Sequence, residues 1–325
     1  MYKFKIANQA RFFLHWFEDL FDRNILVQNK SLYNIHRGER CFILGTGTSV
    51  NDIDMSILGA EYSFCSNFLS YHKDFKKLNV NCSVMVSSPR ELKNFHLNSN
   101  YSDSKIYKEQ DIDIWLSEEK PMLYYSFDPE VYFKKIDLEL CNNAIVFLGH
   151  KTKKFVEKRK LFTNKKVFYL KPYKSVLEAD VQKYDLTNRI TFHEGVIYTM
   201  IAIAFYMGFK ELYLVGNDYT FEPSRQFHFY DQLLVSKNIK KEIALQWINK
   251  IAKARRMEVH NIMEDEEYYK PVFAKYNTNK DAHMVVKNLA ESMGVKIFNI
   301  IPDEFKSPVY QGVTWRHVVE KVLNV

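Results

Sequence analysis

Two short stretches of this chain hold residue types able to act on a phosphorylated ligand. In the first, Arg40 to Asp54 (RCFILGTGTSVNDID), Gly45 and Gly47 follow an apolar run at once and sit among the small hydroxyl residues Thr46, Thr48 and Ser49. Glycine permits positive φ and close backbone approach, so a strand, such a turn and a helix start together form an anion site of backbone N–H groups and helix dipole. The second stretch ends in Gly216, Asn217, Asp218 and Tyr219, which bring an amide, a carboxylate and a phenol to one place. Further on, His228 stands among Phe227, Phe229 and Tyr230. A histidine in that setting is either a structural hydrogen-bonding residue or a catalytic base held in a dry pocket. The GxG spacing lacks the third glycine of the dinucleotide fingerprint and the lysine of a P-loop, so neither nicotinamide binding nor an ordinary NTPase is supported. A turn whose glycines serve geometry alone is the other reading of the first stretch.

These residues need a sheet to hold them. Cys41 to Leu44 is apolar without alternation, as in a strand buried on both faces, and Asn51, Asp52 and Asp54 can cap a helix beginning near Met55. Glu61 to Leu69 reads as a second strand that carries Asn67 at its carboxyl end; Asn81 to Val86, Ala144 to Leu148 and Lys166 to Leu170 read as further short strands. Gly195 to Met207 is almost wholly apolar and predicts a helix buried between the sheet and another layer, ended by Gly208 and followed by the strand Leu212 to Val215. Val285 to Ile300 predicts a helix and a strand (VKIFNI) that complete the sheet.

Short strands alternating with helices give an α/β fold: a Rossmann-like, mostly parallel sheet with helices on both faces. Ligands of such sheets lie beyond the carboxyl ends of the strands, where Asn67 and Gly216 to Tyr219 are expected. The chain divides into an N-terminal amphipathic helix unit (1–35) and a Rossmann-like domain (36–325). Within the latter, a charged and aromatic insertion at about 220–283 predicts a helical lid. The N-terminal helix, with Phe4, Phe13, Trp16 and Phe17 among basic and acidic residues, either packs on the domain or lies on a membrane surface.

The 325 residues suffice for a large core, and 46% apolar residues exclude wholesale disorder. A net charge of +7 favours an anionic partner. The basic residues carry no zinc spacing and no RNA-recognition signature, so nucleic acid is not an expected partner. Cys41, Cys65, Cys82 and Cys141 lack CxxC spacing and read as reduced core residues of a cytosolic protein. No run is long enough for a membrane span and no secretory segment opens the chain, so a cytoplasmic location is expected, with peripheral membrane contact and self-association left open.

Taken together, the blocks resemble the sialyltransferase-like glycosyltransferases of bacterial surface polysaccharide clusters. That group includes the lipooligosaccharide sialyltransferases and shares much of its pattern with motility accessory factor and MptE-like proteins. The likeness rests on GTGTSVNDIDMSIL against a pattern close to GNGPSLxxID and on the strand leading to Asn67. It extends to GVIYTMIAIAFYMGFKELYLVGNDY, against a helix, glycine and strand ending in GxD, and to GVKIFNIIP; it is thus spread from Arg40 to about Pro302. Thr46 replaces the family's Asn and Thr48 its Pro, and His193 and Glu194 stand near where it has a small Ser/Thr pair.

The resemblance implies a GT-A variant of the Rossmann-like fold and a CMP-activated, sialic-acid-like (nonulosonic) donor as substrate, with no separate cofactor and no metal. The acceptor it implies is a surface glycan or glycolipid. Gly45, Thr46, Gly47, Thr48 and Ser49 would lie along the nucleotide, Asn67 near its phosphate or sugar, and Gly216, Asn217, Asp218 and Tyr219 across the crevice. A nucleoside monophosphate leaving group can be stabilised by hydrogen bonds in place of a divalent ion. His228 is then the first choice for the base that deprotonates the acceptor, ahead of His193 and His283. Competing expectations are an MptE-like pterin diphosphokinase using Mg²⁺ on carboxylates such as Asp218, and a non-catalytic polysaccharide-assembly protein that keeps the fold.

Overall fold

Most of the apolar runs become strands of one sheet: β1 (Arg40–Leu44), β2 (Ser63–Ser66), β3 (Cys82–Met85), β4 (Ile145–Gly149), β5 (Lys166–Tyr173), β7 (Glu211–Val215) and β8 (Lys296–Ile300). Two strands of three residues, β6 (Arg189–Thr191) and β9 (Gln311–Val313), have no counterpart among the expected ones. The structure is a computed structural model that describes residues 23–66, 69, 70, 72–87, 89, 129–173, 184–191, 195–217, 280–301 and 307–324. Its helices are α1 (Phe75–Leu78), α2 (Pro129–Glu139), α3 (Lys153–Arg159), α4 (Val196–Met207), α5 (280–292) and α6 (Trp315–His317), which continues as a π-helical turn over Val318–Leu323.

Among the described residues the nine strands are all parallel, in the order β6-β5-β4-β3-β2-β1-β7-β8-β9. The order climbs outward from β1 to β6, and α4 then carries the chain back to β7 on the other side of β1. The fold is therefore α/β and Rossmann-like, with its topological switch point between β1 and β7. Those two strands are locked in register from Arg40 against Glu211 to Leu44 against Val215.

Burial follows from the twofold alternation of a strand. Cys41 and Ile43 of β1, with Leu212 and Leu214 of β7, enter the core under α4 and α5; Phe42, Leu44, Tyr213 and Val215 enter the core on the other face. Phe42 stacks on Tyr213, and Tyr213 on Phe298 of β8, with ring centroids 5.1 and 4.9 Å apart. Both faces are covered, so the central strands are apolar without alternation.

Helix α4 is buried from Tyr198 to Met207 because the sheet lies on one side and residues 33–38 and α5 close over it. Asn34 N donates to Tyr206 O (3.0 Å), His36 N to Met207 O (2.8 Å) and Gly38 N to Gly208 O (3.0 Å), which satisfies carbonyls that a helix end leaves open. Gly208 ends the helix at φ 93°, a left-handed conformation that glycine adopts at little cost.

The end of the expected N-terminal unit belongs to the domain. Leu26, Asn29 and Leu32 are buried, and Asn29 Nδ2 donates to Tyr169 O at 2.8 Å and to Leu186 O at 2.7 Å, tying this segment to β5 and to the approach to β6. Residues 1–22, where the amphipathic helix and Trp16 were expected, lie outside the described residues, as does 220–279 of the expected lid. All four cysteines are free thiols, with Cys41, Cys65 and Cys82 buried. Among the described residues no helix is long and apolar enough to cross a membrane.

Candidate functional site

The two chemistry-bearing stretches meet at the carboxyl ends of β1 and β7. Past the last paired residues of the two strands the chains remain laced together: Gly45 N donates to Val215 O (2.7 Å) and Gly47 N to Gly216 O (2.9 Å). A Cβ on Gly45 would lie 2.5 Å from Gly216 O, and one on Gly216, whose φ is +66°, would lie 2.4 Å from Val50 Cγ1. Close approach of a neighbouring backbone is therefore what demands glycine at position 45, whereas at position 216 it is the left-handed φ together with the packed Val50 side chain. The amides of Gly45 and Gly47, expected to face a ligand, are spent on the neighbouring strand.

The local structure after the turn also differs from the expected helix. Thr48–Asp52 and Met55–Ala60 are two short 3-10 helices, and the first has Gly47 at its N-cap with no side-chain cap. Asp54 does cap the second: its carboxylate accepts from Ser56 N at 3.0 Å and from the Ser56 hydroxyl at 2.6 Å, which holds its pKa below the usual carboxylate value. Asp52 and Asp54 also make an Asp-x-Asp spacing, of which Asp54 is committed to this cap. A five-residue 3-10 turn carries little of the macrodipole invoked for an anion site, so the field at the turn is weaker than a full α-helix would give.

Around this turn, Thr46, Ser49 and Asn217 are buried at 7%, 7% and 5% exposure, which places polar side chains at the switch point within the protein rather than on its rim. Asn67, Asp218, Tyr219 and His228 lie outside the described residues, as does His193. His283 is described and sits in the core under the sheet. Its Nδ1 is 2.6 Å from the Tyr310 hydroxyl, and Tyr198 packs against its ring at a centroid distance of 4.6 Å.

His72 is a site-adjacent residue that sequence reasoning missed. It lies in the segment after β2 at 5% exposure, and its Nδ1 accepts from Asp74 N at 3.2 Å. Burial lowers its pKa, opposed by the Asp74 carboxylate and by a hydrogen bond with the Val50 backbone, so the imidazole props the 3-10 turn that follows Gly47. The cue was the cluster SYHKD after an apolar strand, a polar run too ordinary to stand out.

Because the unfolded His72 titrates near 6.5 and the folded one lower, the unfolded state binds the extra proton first. Stability from this residue is complete above about pH 6.5 and declines as the pH falls through the folded pKa. Urea unfolding at pH 7.5 and 5.5 should show wild type losing more stability on acidification than His72→Gln; equal losses would mean that His72 does not report on the fold.

A cavity of about 240 Å³ opens beside the switch point. It is lined by Val215, Gly216, Ile300 and Ile301 from β7, β8 and the residues that follow them, by Ser49, Asp52 and Ile53 after the β1 turn, and by Trp315 and Arg316 of α6. Trp315 packs on the core, and Thr314 Oγ1 caps the helix by accepting from His317 N at 3.2 Å. Neither Trp315 nor Arg316 was singled out from the sequence, since one aromatic and one cation in a C-terminal segment have no periodicity to mark them.

A larger hollow, about 530 Å³, lies at the amino edge of the sheet between Arg40, Glu61, Tyr62 and Glu211. There Arg40 is committed to Glu61 by two hydrogen bonds of 2.9 and 2.8 Å. In an open parallel sheet the ligand crevice is at the carboxyl edge, so the smaller cavity is the candidate ligand site. No protein-family model matches the chain, and no curated protein matches it in sequence.

Proposed function

We propose that the protein is a glycosyltransferase that moves a nonulosonic, sialic-acid-like sugar from a CMP-activated donor to a surface glycan acceptor. One observation carries this reading: two blocks far apart in sequence, the GTGTS turn and the end of β7 at Val215 and Gly216, are brought into backbone contact at the switch point of a parallel sheet, with Gly45 N on Val215 O and Gly47 N on Gly216 O. That crevice is where such sheets bind nucleotides. The resemblance of the same two blocks to sialyltransferase-like enzymes supplies the donor class, and the net charge of +7 agrees with an anionic substrate.

In this mechanism the polar turn from Thr46 to Ser49 and Asn217 position the nucleotide. His228 takes the proton of the acceptor hydroxyl as its oxygen bonds to the anomeric carbon of the donor. The bond from that carbon to the phosphate oxygen breaks, the electron pair leaves with CMP, and Tyr219 donates a hydrogen bond to the departing phosphate while Asp218 orients the groups across the crevice. Charge developing on the phosphate is met by hydrogen bonds that are in place beforehand, which is the cheapest way to stabilise it.

Thermal unfolding with added nucleotide tests the reading. CMP at a hundredfold excess over its Kd should stabilise the protein by about 2.7 kcal/mol, a rise of roughly 5 °C, whereas ATP with magnesium should do nothing. Gly47 has φ −64°, which any residue can adopt, so Gly47→Val is expected to fold and to lose the CMP response by obstructing the turn. Stabilisation by ATP with magnesium in place of CMP would exchange this proposal for a phosphoryl-transfer enzyme.

A further inference from the structure

We propose that the cavity between Ser49 to Ile53 and α6 is the acceptor subsite, and that it takes one saccharide ring bearing an anionic group. The assignment rests on the donor reading above. It names which substrate occupies which side of the switch point.

The first argument is size. A volume of about 240 Å³ admits a single ring with its substituents and falls below the range of sites that enclose a whole nucleotide-sized ligand. The second is chemistry. A pyranose presents an apolar C–H face and a rim of hydroxyls. The cavity's lining includes the indole of Trp315, the apolar residues Val215, Ile300 and Ile301, and Asp52. Arg316 adds a planar guanidinium, the group best suited to a carboxylate held in two-point contact. Its present partner, Glu320 at 3.5 Å, forms an exposed pair, so exchanging it for a ligand carboxylate costs little.

The third argument is position. A ligand laid across a switch point divides between its two sides. The donor's nucleotide belongs, on the reading above, with the turn that follows β1. The cavity lies on the other side, over β7 and β8, yet shares Ser49 and Gly216 with the turn. A ring seated there stands next to the donor without displacing it. The indole is a fixed platform, since Trp315 packs on the same core as the fully buried Val318 of the following turn.

Saturation-transfer NMR on the full chain, using galactose, glucose, galacturonate and glucuronate as probes, tests the assignment, with CMP-induced thermal shift measured on the same samples. At least one uronate should receive saturation from wild type and bind more tightly than its neutral hexose. Trp315→Leu should abolish the transfer, and Arg316→Gln should lower uronate affinity about tenfold while sparing the neutral sugar. Both variants should keep the wild-type CMP shift. Arg316 is exposed, so its variant folds whatever happens at Trp315.

Loss of the CMP shift in either folded variant would make the cavity part of the nucleotide site and overturn the proposal. So would the absence of saturation transfer to every probe. A wild type that ignores CMP would sink the donor reading itself, and the acceptor assignment with it.

Discussion

Gly45→Ala is expected to cost about 3 kcal/mol of stability or more, and Gly45→Val to prevent folding. The added Cβ would sit 2.5 Å from the carbonyl oxygen of Gly216 and 3.2 Å from that of Val215, and both are backbone atoms of the adjacent strand. A flexible side chain could turn away; a strand cannot. Relief requires β1 and β7 to part at their carboxyl ends, breaking Gly45 N to Val215 O and Gly47 N to Gly216 O in the middle of a nine-stranded sheet. Urea unfolding and soluble yield measure the effect. A Gly45→Ala protein of wild-type stability would show that the strands separate freely, and the close approach would lose its meaning for the site.

The contrast with Gly47→Val separates two roles that the GxG spacing runs together. Gly45 is required by the sheet, whatever binds above it. Gly47 has an ordinary φ, so its backbone conformation does not itself demand glycine. From sequence alone the two glycines are equivalent, because the carbonyl that a Cβ on Gly45 would strike belongs to a strand remote in the chain.

The same physics explains what else was legible. Strands β1, β4 and β7 stood out because burial on both faces makes them almost continuously apolar, and β2, β3, β5 and β8 were legible as shorter or interrupted apolar runs. Helix α4 stood out because residues 33–38 and α5 bury the side that the sheet does not. The parallel architecture followed from their alternation with helices. Strands β6 and β9 did not stand out: RIT and QGV have three residues each and offer no apolar run, since they lie at the two edges of the sheet. The 3-10 geometry of Thr48–Asp52 was hidden because Asn and Asp cap helices of either kind. Trp315 and Arg316 reach the switch point only through the chain reversal after β9, a tertiary event with no local signature.

Under the proposed glycosyl transfer, with His228 as its base, His228→Ala is expected to lower kcat by about 10² to 10⁴ while leaving donor affinity close to wild type. An acceptor hydroxyl is a poor nucleophile near neutral pH, and a base that takes its proton acts only as the bond to the anomeric carbon forms. Such a group contributes little to ground-state binding, so the CMP-induced rise in melting temperature should survive the substitution. With neutral imidazole as the active form, kcat/KM of wild type falls on the acid side with an apparent pKa that the variant lacks. His283 is already engaged with the Tyr310 hydroxyl at 2.6 Å inside the core, so His283→Ala should act on stability before it acts on rate. A His228 variant with near-normal kcat would transfer the base to His193; one that loses the CMP response would make His228 a ligand of the phosphate, and the proton would then need another acceptor.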